Sequence, residues 1–254
     1  MRRRLPGRGV VVGVVLAVAS AASAAGQEEP ERFEWPIQSF FLSDVPQVQE
    51  PGAVQAQATF HLRDTPEGTQ FEAPLEGEVG VSRRLQLSSE VEWSREWEQG
   101  ELSRGVSQVE VGARYRLLES AGTGFSLSTG LAGEVSRADF SDDRWGFSAP
   151  LLAFKKVGPL GLNAVVRPGF AYTRRDELEP RVALGMGVAV GSRLVVPMGE
   201  VRAELGEEDA FEAVGGLKVK PGKVVELGAG ALVGRRGGDG VWGATTTLLI
   251  DLGD

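Results

Sequence analysis

Acidic side chains recur at even-numbered positions in two neighbouring stretches, with Glu72, Glu76 and Glu78 in the first and Glu90 and Glu92 in the second. Paired carboxylates can act as general acid and base or bind cations. They can also line a water-filled lumen and pair with arginines across it. We favour the lining role, because even spacing places all five on one face of extended strands. The arginines suited to such pairing are Arg114, Arg116, Arg167 and Arg181.

The one histidine, His61, is the other group that could perform chemistry. A hydrolase would need a nucleophile beside it, and Ser88 and Ser126 are the candidates. No spacing in the sequence brings either serine to His61, so we interpret the histidine as lumen-lining and predict no catalytic residue. A chain with one histidine and no cysteine also offers few metal ligands. We therefore predict neither a metal nor a cofactor.

Charge and composition narrow the class of protein further. The chain has 254 residues and a net charge of −8, without a basic patch beyond the extreme N-terminus, so no nucleic-acid partner is expected. Its 35 glycines suit curved sheets and tight hairpins.

The elements that must position these groups are long strands with two unlike faces. In the first, Val54, Ala56 and Ala58 alternate with polar residues, and this period of two continues along the chain. The predicted strands span 52–63, 70–82, 85–93 or a little beyond, 106–117, 125–137, 145–156, 162–173, 181–190, 194–205, 210–219, 224–233 and 241–252.

Strand length and facial charge favour an antiparallel up-and-down transmembrane β-barrel of about twelve strands over a soluble sandwich. Soluble strands average about 5–6 residues, whereas membrane-spanning strands need about 9–11. The apolar faces of the clean strands are free of charge at their centres, as lipid requires. The alternation alone does not say which face is inside. With the polar face inside, the lumen-lining candidates are His61, Glu72, Glu76, Glu78, Glu90, Glu92, Glu110, Arg114, Arg116, Glu134, Arg167, Arg181 and Glu226.

Connections and aromatic residues are also unevenly distributed. Tight turns on one predicted rim alternate with longer polar loops on the other, at 64–69, 98–105, 138–144, 174–179, 206–209 and 234–240. Aromatic residues near the loop side predict one interfacial girdle, with Tyr115, Phe125 and Phe154 toward the opposite rim. The girdle residues on the loop side are Phe71, Trp93, Trp97, Trp145, Tyr172, Phe211 and Trp242.

The N-terminus predicts export. A basic start, an apolar stretch at 10–19 and small residues around Ala22-Ser23-Ala24 indicate a signal peptide at 1–26. Residues 27–51 lack a clean period and are predicted to be an irregular segment that could plug the lumen. The β-barrel follows at 52–252.

Two short stretches resemble a known family. Phe41-Leu42-Ser43-Asp44-Val45-Pro46 with Glu50-Pro51-Gly52, and later the hairpin 80–87, are similar to the opening of an outer-membrane barrel family. That family is associated with meta-pathway phenol degradation and with transporters. The resemblance implies a channel-like protein that admits hydrophobic compounds.

The leading hypothesis is a passive outer-membrane channel or transporter for small solutes in a Gram-negative cell, without catalysis. Its partners would be outer-membrane lipid, the barrel-assembly machinery during insertion and an unidentified small molecule. Two alternatives stay open. One is a secreted or periplasmic soluble β-protein that binds a ligand, and the other is a lipid-acting barrel enzyme that uses His61.

Overall fold

The computed structural model describes residues 37–66, 68–98, 101–138, 140–141, 143–191, 194–206, 209–222 and 224–253. The predicted signal peptide and residues 27–36 of the predicted N-terminal segment lie outside these ranges. No helix within the ranges is long and apolar enough to cross a membrane.

Thirteen strands make up one antiparallel sheet in the described part of the chain. They are β1 Val54–Thr65, β2 Gly68–Gly80, β3 Leu85–Glu98, β4 Glu101–Ser120, β5 Phe125–Ser136, β6 Asp143–Ser148, β7 Leu151–Val157, β8 Leu160–Thr173, β9 Leu178–Val190, β10 Val195–Leu205, β11 Ala210–Val219, β12 Val225–Arg236 and β13 Asp239–Asp251.

The sheet closes on itself. Each strand pairs with its neighbours along the chain, and β1 also pairs with β13, beginning at Gln55 opposite Asp251. The short strands β6 and β7 lie end to end between β5 and β8, so together they fill one position in the wall. The result is a closed antiparallel barrel of twelve strands, which confirms the predicted fold class.

The predicted strand at 145–156 is wrong in one respect, because it is split into β6 and β7 at Ala149 and Pro150. Proline has no N–H to donate to a neighbouring strand, so the ladder cannot run through it unchanged. The carbonyl of Pro150 still accepts from Gly130 N at 2.9 Å, and Ala149 N donates to Pro168 O at 2.9 Å. The wall therefore kinks at this point without opening.

Several predicted loops are largely strand. The predicted loop at 98–105 is occupied by β4 from Glu101 onward, and the one at 234–240 shrinks to a turn at Gly237 and Gly238. Both glycines have positive φ, at 57° and 100°, which suits the tight hairpin turns that glycine favours. Polar composition had predicted loops here, but hairpin pairing continues above the apolar part of the barrel.

Alternate side chains are buried and exposed along the strands, and in β1 the buried set is polar. Thr59, His61 and Arg63 are buried there, while Phe60 and Leu62 are exposed. Because the barrel is closed, the buried face is its interior and the exposed apolar face is its outer surface.

Phe154 departs from the predicted girdle because it points inward. It is 1% exposed and packs beside Gly161, where an added Cβ would lie 2.6 Å from the ring. Both faces of this stretch of sequence are apolar, so periodicity could not assign its direction.

The pairing of β1 with β13 requires a residue without a side chain at Gly243. It pairs with Arg63, and a Cβ there would overlap the carbonyl oxygen of Leu62. We expect Gly243→Val to lower the free energy of unfolding by about 1–3 kcal/mol, because the two backbones must separate. Urea unfolding in detergent micelles, followed by tryptophan fluorescence, measures this.

Gly215 is the matched control, since it lies in β11 with open space where its Cβ would be. Gly215→Ala should raise the free energy of unfolding by about 0.5–1 kcal/mol, as expected for alanine in place of a strand glycine. Equal effects of the two substitutions would contradict the close approach at the closure.

Candidate channel interior

Four glutamates form a row across adjacent strands inside the barrel. Glu76 of β2 pairs in register with Glu90 of β3. Glu90 pairs with Glu110 of β4, which pairs with Glu134 of β5. Side chains at directly paired positions have Cβ atoms about 4.5–5.5 Å apart, and like charges there repel. We call these four residues the glutamate row.

Only part of this negative charge is offset. Arg167 Nη1 lies 3.6 Å from Glu110 Oε2, and Gln108 Nε2 donates to Glu134 Oε2 at 2.9 Å. Within the described part of the chain, Glu76 and Glu90 form no ion pair. One wall of the interior, formed by β2 to β5, is therefore acidic.

The glutamates on either side of the row have closer partners. Glu78 Oε1 lies 3.6 Å from Arg114 Nη1, and Glu92 accepts hydrogen bonds from Ser94 at 3.0 Å and Ser107 at 2.6 Å. Ser107 is the extra residue of a β-bulge in β4, where the register with β3 shifts. The bulge turns its hydroxyl toward the interior.

Arg63 makes an ion pair that reaches across the interior. From β1 it donates to both carboxylate oxygens of Glu212 on β11, at 2.7 and 3.2 Å, and also to Glu72 on β2. Since β12 and β13 separate β1 from β11 in the sheet, this bidentate pair spans part of the lumen. It narrows the barrel between the glutamate row and the loop rim.

His61 lies beside this cluster, opposite Glu72 and Thr245. It is buried, and its Nδ1 has no hydrogen-bond partner among the described residues. Ser88 lies on β3 opposite Glu78, and Ser126 lies on β5, so neither is in register with the histidine. Neither predicted serine is therefore placed beside His61, and the Oγ1 of Thr245 opposite it forms no hydrogen bond to the described residues.

Three other predicted lining residues lie elsewhere in the barrel. Arg116 donates to Glu119 and to the carbonyl of Arg83 near the turn rim. Arg181 lies near the loop rim and donates to Asp143 at 2.6 and 2.9 Å. Glu226 forms a fully buried pair with Lys218, at 2.8 Å. The structure thus brings the glutamate row together and spreads the remaining candidates along the barrel's length.

Residues 37–49 lie within the barrel, against its inner wall, and we call them the inner segment. Its tip is a tight turn in which Phe40 N donates to Ser43 O at 3.1 Å and Ser39 forms an isolated antiparallel β-bridge with Asp44. The segment enters from the rim that carries the start of β1, where Gly52 N donates to Gly80 O at 2.8 Å.

Wall side chains satisfy the backbone of the inner segment. Lys218 Nζ donates to Ser39 O at 2.6 Å, and Glu200 accepts from Leu42 N at 2.8 Å. Glu226 accepts from Gln38 N at 3.2 Å, and Gln86 accepts from Gln49 N at 2.8 Å. These bonds replace the ladder that the segment lacks, as buried backbone groups require.

Asp44 is the charged contact of the inner segment. Its carboxylate lies 2.7 Å from Arg114 of β4 and 3.7 Å from Arg167 of β8. Asn163 donates to the Asp44 carbonyl at 2.9 Å. One carboxylate thus joins arginines from two different parts of the wall.

Apolar side chains of the inner segment form a core with the inner faces of β9 to β13. Its members are Ile37, Phe40, Phe41, Val45, Ala189, Val196, Met198, Val214, Leu232 and Val241. On the other side, between the segment and β1, β2 and β4, a polar cavity of about 10 Å³ remains. That is room for about one water molecule.

Sequence reasoning did not identify the charged residues on the inner faces of β10 and β11. Lys218, Glu200 and Glu212 were not among the candidates, although each lies on the polar face of a predicted strand. The alternation of Glu200, Arg202 and Glu204 in β10 was the available signal. The contacts of the inner segment had no such signal, because that stretch has no period.

A closed, antiparallel barrel of twelve strands with an apolar outside and a charged inside is the architecture of outer-membrane β-barrels. Among solved structures, the chain is similar to the KdgM porin in complex with disordered oligogalacturonate, with a TM-score of 0.55 and 16% identity over 77% of this chain and 98% of that one. It is similar to the NanC porin, with a TM-score of 0.54 and 10% identity over 78% and 98%.

It is also similar to the translocator domain of the autotransporter NalP from Neisseria meningitidis, with a TM-score of 0.50 and 11% identity over 94% of each chain. At these identities the likeness concerns the fold alone. No family model matches the chain, and no curated protein matches its sequence.

The ion pair of Arg63 leads to a stability prediction. We expect Arg63→Met to lower the free energy of unfolding by about 3–5 kcal/mol, because it leaves two buried carboxylates without their cation. Adding Glu212→Gln to this variant should restore part of the loss. Urea unfolding of the two variants measures both effects.

Arg144 provides the control, since its pair with Asp176, at 3.2 Å, is exposed on the loop rim. Arg144→Met should cost less than about 1 kcal/mol. A loss for Arg63→Met as small as that would mean that the cluster is not buried as described.

Proposed function

We propose that this protein is an outer-membrane channel for small polar solutes. The observation that carries the proposal is the direction of the two faces. Large apolar side chains are exposed around the outer surface, whereas buried charged side chains such as Arg63, Glu78 and Glu212 lie in the interior. A soluble barrel has the opposite arrangement, with its apolar residues enclosed. This argues against the soluble ligand-binding alternative.

The outer surface suits a hydrocarbon environment. Val111, Leu131, Met186 and Val233 are exposed by 56–66% around the barrel. Large contiguous apolar surfaces are rare on soluble monomers and mark membrane or partner contacts. Aromatic pairs toward the loop rim, such as Phe71 with Trp93 and Trp145 with Tyr172, fit an interfacial girdle.

The charged side chains of the interior favour a polar solute over an apolar one. The resemblance to the phenol-degradation family would suggest hydrophobic compounds, and that assignment stays a hypothesis. The glutamate row and the Arg63 cluster line the lumen with charge, which attracts hydrated or ionic solutes and raises the cost of apolar ones. We also propose that transport is passive and that His61 lines the lumen, since neither Ser88 nor Ser126 is in register with it.

A charge at the centre of the outer surface tests membrane insertion. Val111 is 61% exposed in the middle of β4. We expect Val111→Arg to destabilise the barrel in lipid vesicles by about 2–4 kcal/mol, as found for arginine at the bilayer midplane. Leu102→Arg, near the loop end of the same strand, should cost about 0–1 kcal/mol. Equal costs would contradict a membrane around the middle of β4.

Ion selectivity tests the channel itself. Because the inner segment occupies the lumen, planar-bilayer recordings should include wild type and the double variant Phe40→Ala/Phe41→Ala. We expect potassium to be preferred over chloride in a salt gradient, since uncompensated carboxylates favour cations. Glu76→Gln/Glu90→Gln should move the reversal potential toward zero. Folded, membrane-inserted protein that conducts in none of these forms would overturn the channel.

A further inference from the structure

Two phenylalanines of the inner segment occupy pockets floored by glycine. A Cβ added to Gly187 of β9 would lie 2.5 Å from the Phe40 ring. Cβ atoms added to Gly216, Gly228 and Gly230 would lie 2.8–3.3 Å from the Phe41 ring. A larger residue at Gly187 would displace the Phe40 ring. At Gly216 and Gly228 it would meet the Phe41 ring and also the wall, at 2.4 Å from the Ala229 carbonyl oxygen and 2.5 Å from Thr247 Oγ1. The inner wall of β9, β11 and β12 is thus shaped to the inner segment.

The fit of Phe41 also has a polar component. Lys218 Nζ lies 5.6 Å from the centre of the Phe41 ring and donates to Ser39 Oγ at 2.8 Å. A buried ammonium near an aromatic face is attracted by the ring quadrupole. The same lysine therefore contacts both the backbone turn and the ring, which makes this wall a specific site for the segment.

The segment nevertheless lies outside the sheet. Among the described residues, the β-bridges outside the strands are Ser39 to Asp44, within the segment, and Pro51 to Gly80, in the connection from the segment to β1. It joins β1 through exposed residues at Glu50, Pro51 and Gly52, and Gly52 has a positive φ of 84°. Removing it would leave every β-ladder of the barrel intact.

Three cations of the wall would keep ion-pair partners if the segment left. Lys218 has Glu226 at 2.8 Å, Arg114 has Glu78 at 3.6 Å, and Arg167 has Glu110 at 3.6 Å. Departure would therefore strand none of these three cations, while the buried Glu200 would lose the hydrogen bond from Leu42 N.

We propose that residues 37–49 are a removable closing segment, and that the inner faces of β8 to β12 are its binding site. With the segment bound, the lumen is closed at the level of Phe40 and Phe41; when it withdraws toward the rim of Gly52, the lumen opens. The inference rests on the channel function proposed above.

A reversible disulfide tests whether opening requires the segment to leave. The chain has no cysteine, so an engineered pair is the only one present. A Cβ at Gly185 would lie 3.7 Å from Ser43 Cβ, within the range of disulfides. Ser43→Cys/Gly185→Cys therefore fixes the segment to β9 when oxidised. Thiol titration reports the extent of bonding.

Gly112→Cys/Ala132→Cys is the matched control, because a Cβ at Gly112 would lie 3.8 Å from Ala132 Cβ and both positions are in the wall. Both pairs are recorded in planar bilayers, oxidised and reduced, in the native background and with Phe40→Ala/Phe41→Ala. Oxidising the segment pair should lower the open probability by at least about tenfold in any conducting background, and reduction should restore it. The wall pair should conduct equally in both redox states.

The outcomes separate the two proposals. Conduction that is unchanged when the segment pair is oxidised would overturn the proposal of a closing segment without affecting the proposal of a channel. Silence of every variant in both redox states, with heat-modifiable migration proving that the barrel is folded, overturns the channel and the closing segment with it. A rise in open probability for Phe40→Ala/Phe41→Ala over wild type supports the glycine pockets as the holding contacts.

Discussion

Closure of the sheet through the pairing of β1 with β13 determines the environment of every strand residue. A hydrocarbon layer offers no partner to a free backbone N–H or C=O, and a closed barrel leaves no strand edge. Once the sheet is closed, side chains with odd and even positions must point to opposite sides. The distribution of charge between lumen and outer surface then follows from strand parity alone, except where a bulge shifts it. Such shifts occur in β4 near Ser107 and near Leu117.

Parity also explains how far the sequence could predict the molecule. The strand at Ala210–Val219 has the predicted bounds, and the glutamate row follows from four strands whose polar faces were identified. The predictions of a loop at 98–105 and of Phe154 in the girdle were wrong. Polar and apolar residues do not alternate clearly in these stretches, so periodicity could not assign the strand or its faces. Contacts of Asp44 with Arg114 and Arg167 could not be predicted, since they join residues about 70 and 120 positions apart through an aperiodic stretch.

The two walls of the lumen have different physical characters. The wall of β2 to β5 carries the glutamate row, in which like charges at paired positions repel one another. The wall of β9 to β12 carries glycine, small apolar residues and the buried pair of Lys218 with Glu226. A barrel of this size has an interior between a filled core and an open pore. The inner segment packs its apolar residues against the wall of β9 to β12. Its Asp44 lies between Arg114 of β4 and Arg167 of β8.

Glycines on an inward face need a reason, because a lumen filled by its own wall would use larger side chains. Gly187 is the position that the inner segment restricts most directly, since the three atoms nearest to a Cβ there all belong to the Phe40 ring. Cβ atoms at Gly216 and Gly228 would also meet atoms of the wall, the Ala229 carbonyl oxygen and Thr247 Oγ1. Strand glycine costs about 0.5–1 kcal/mol relative to alanine, so several at one level weaken the wall. Packing of the Phe40 ring against Gly187 offsets part of that loss when the segment is bound. The wall is therefore most stable with the segment in place, and any solute that passes must compete with it for the same space.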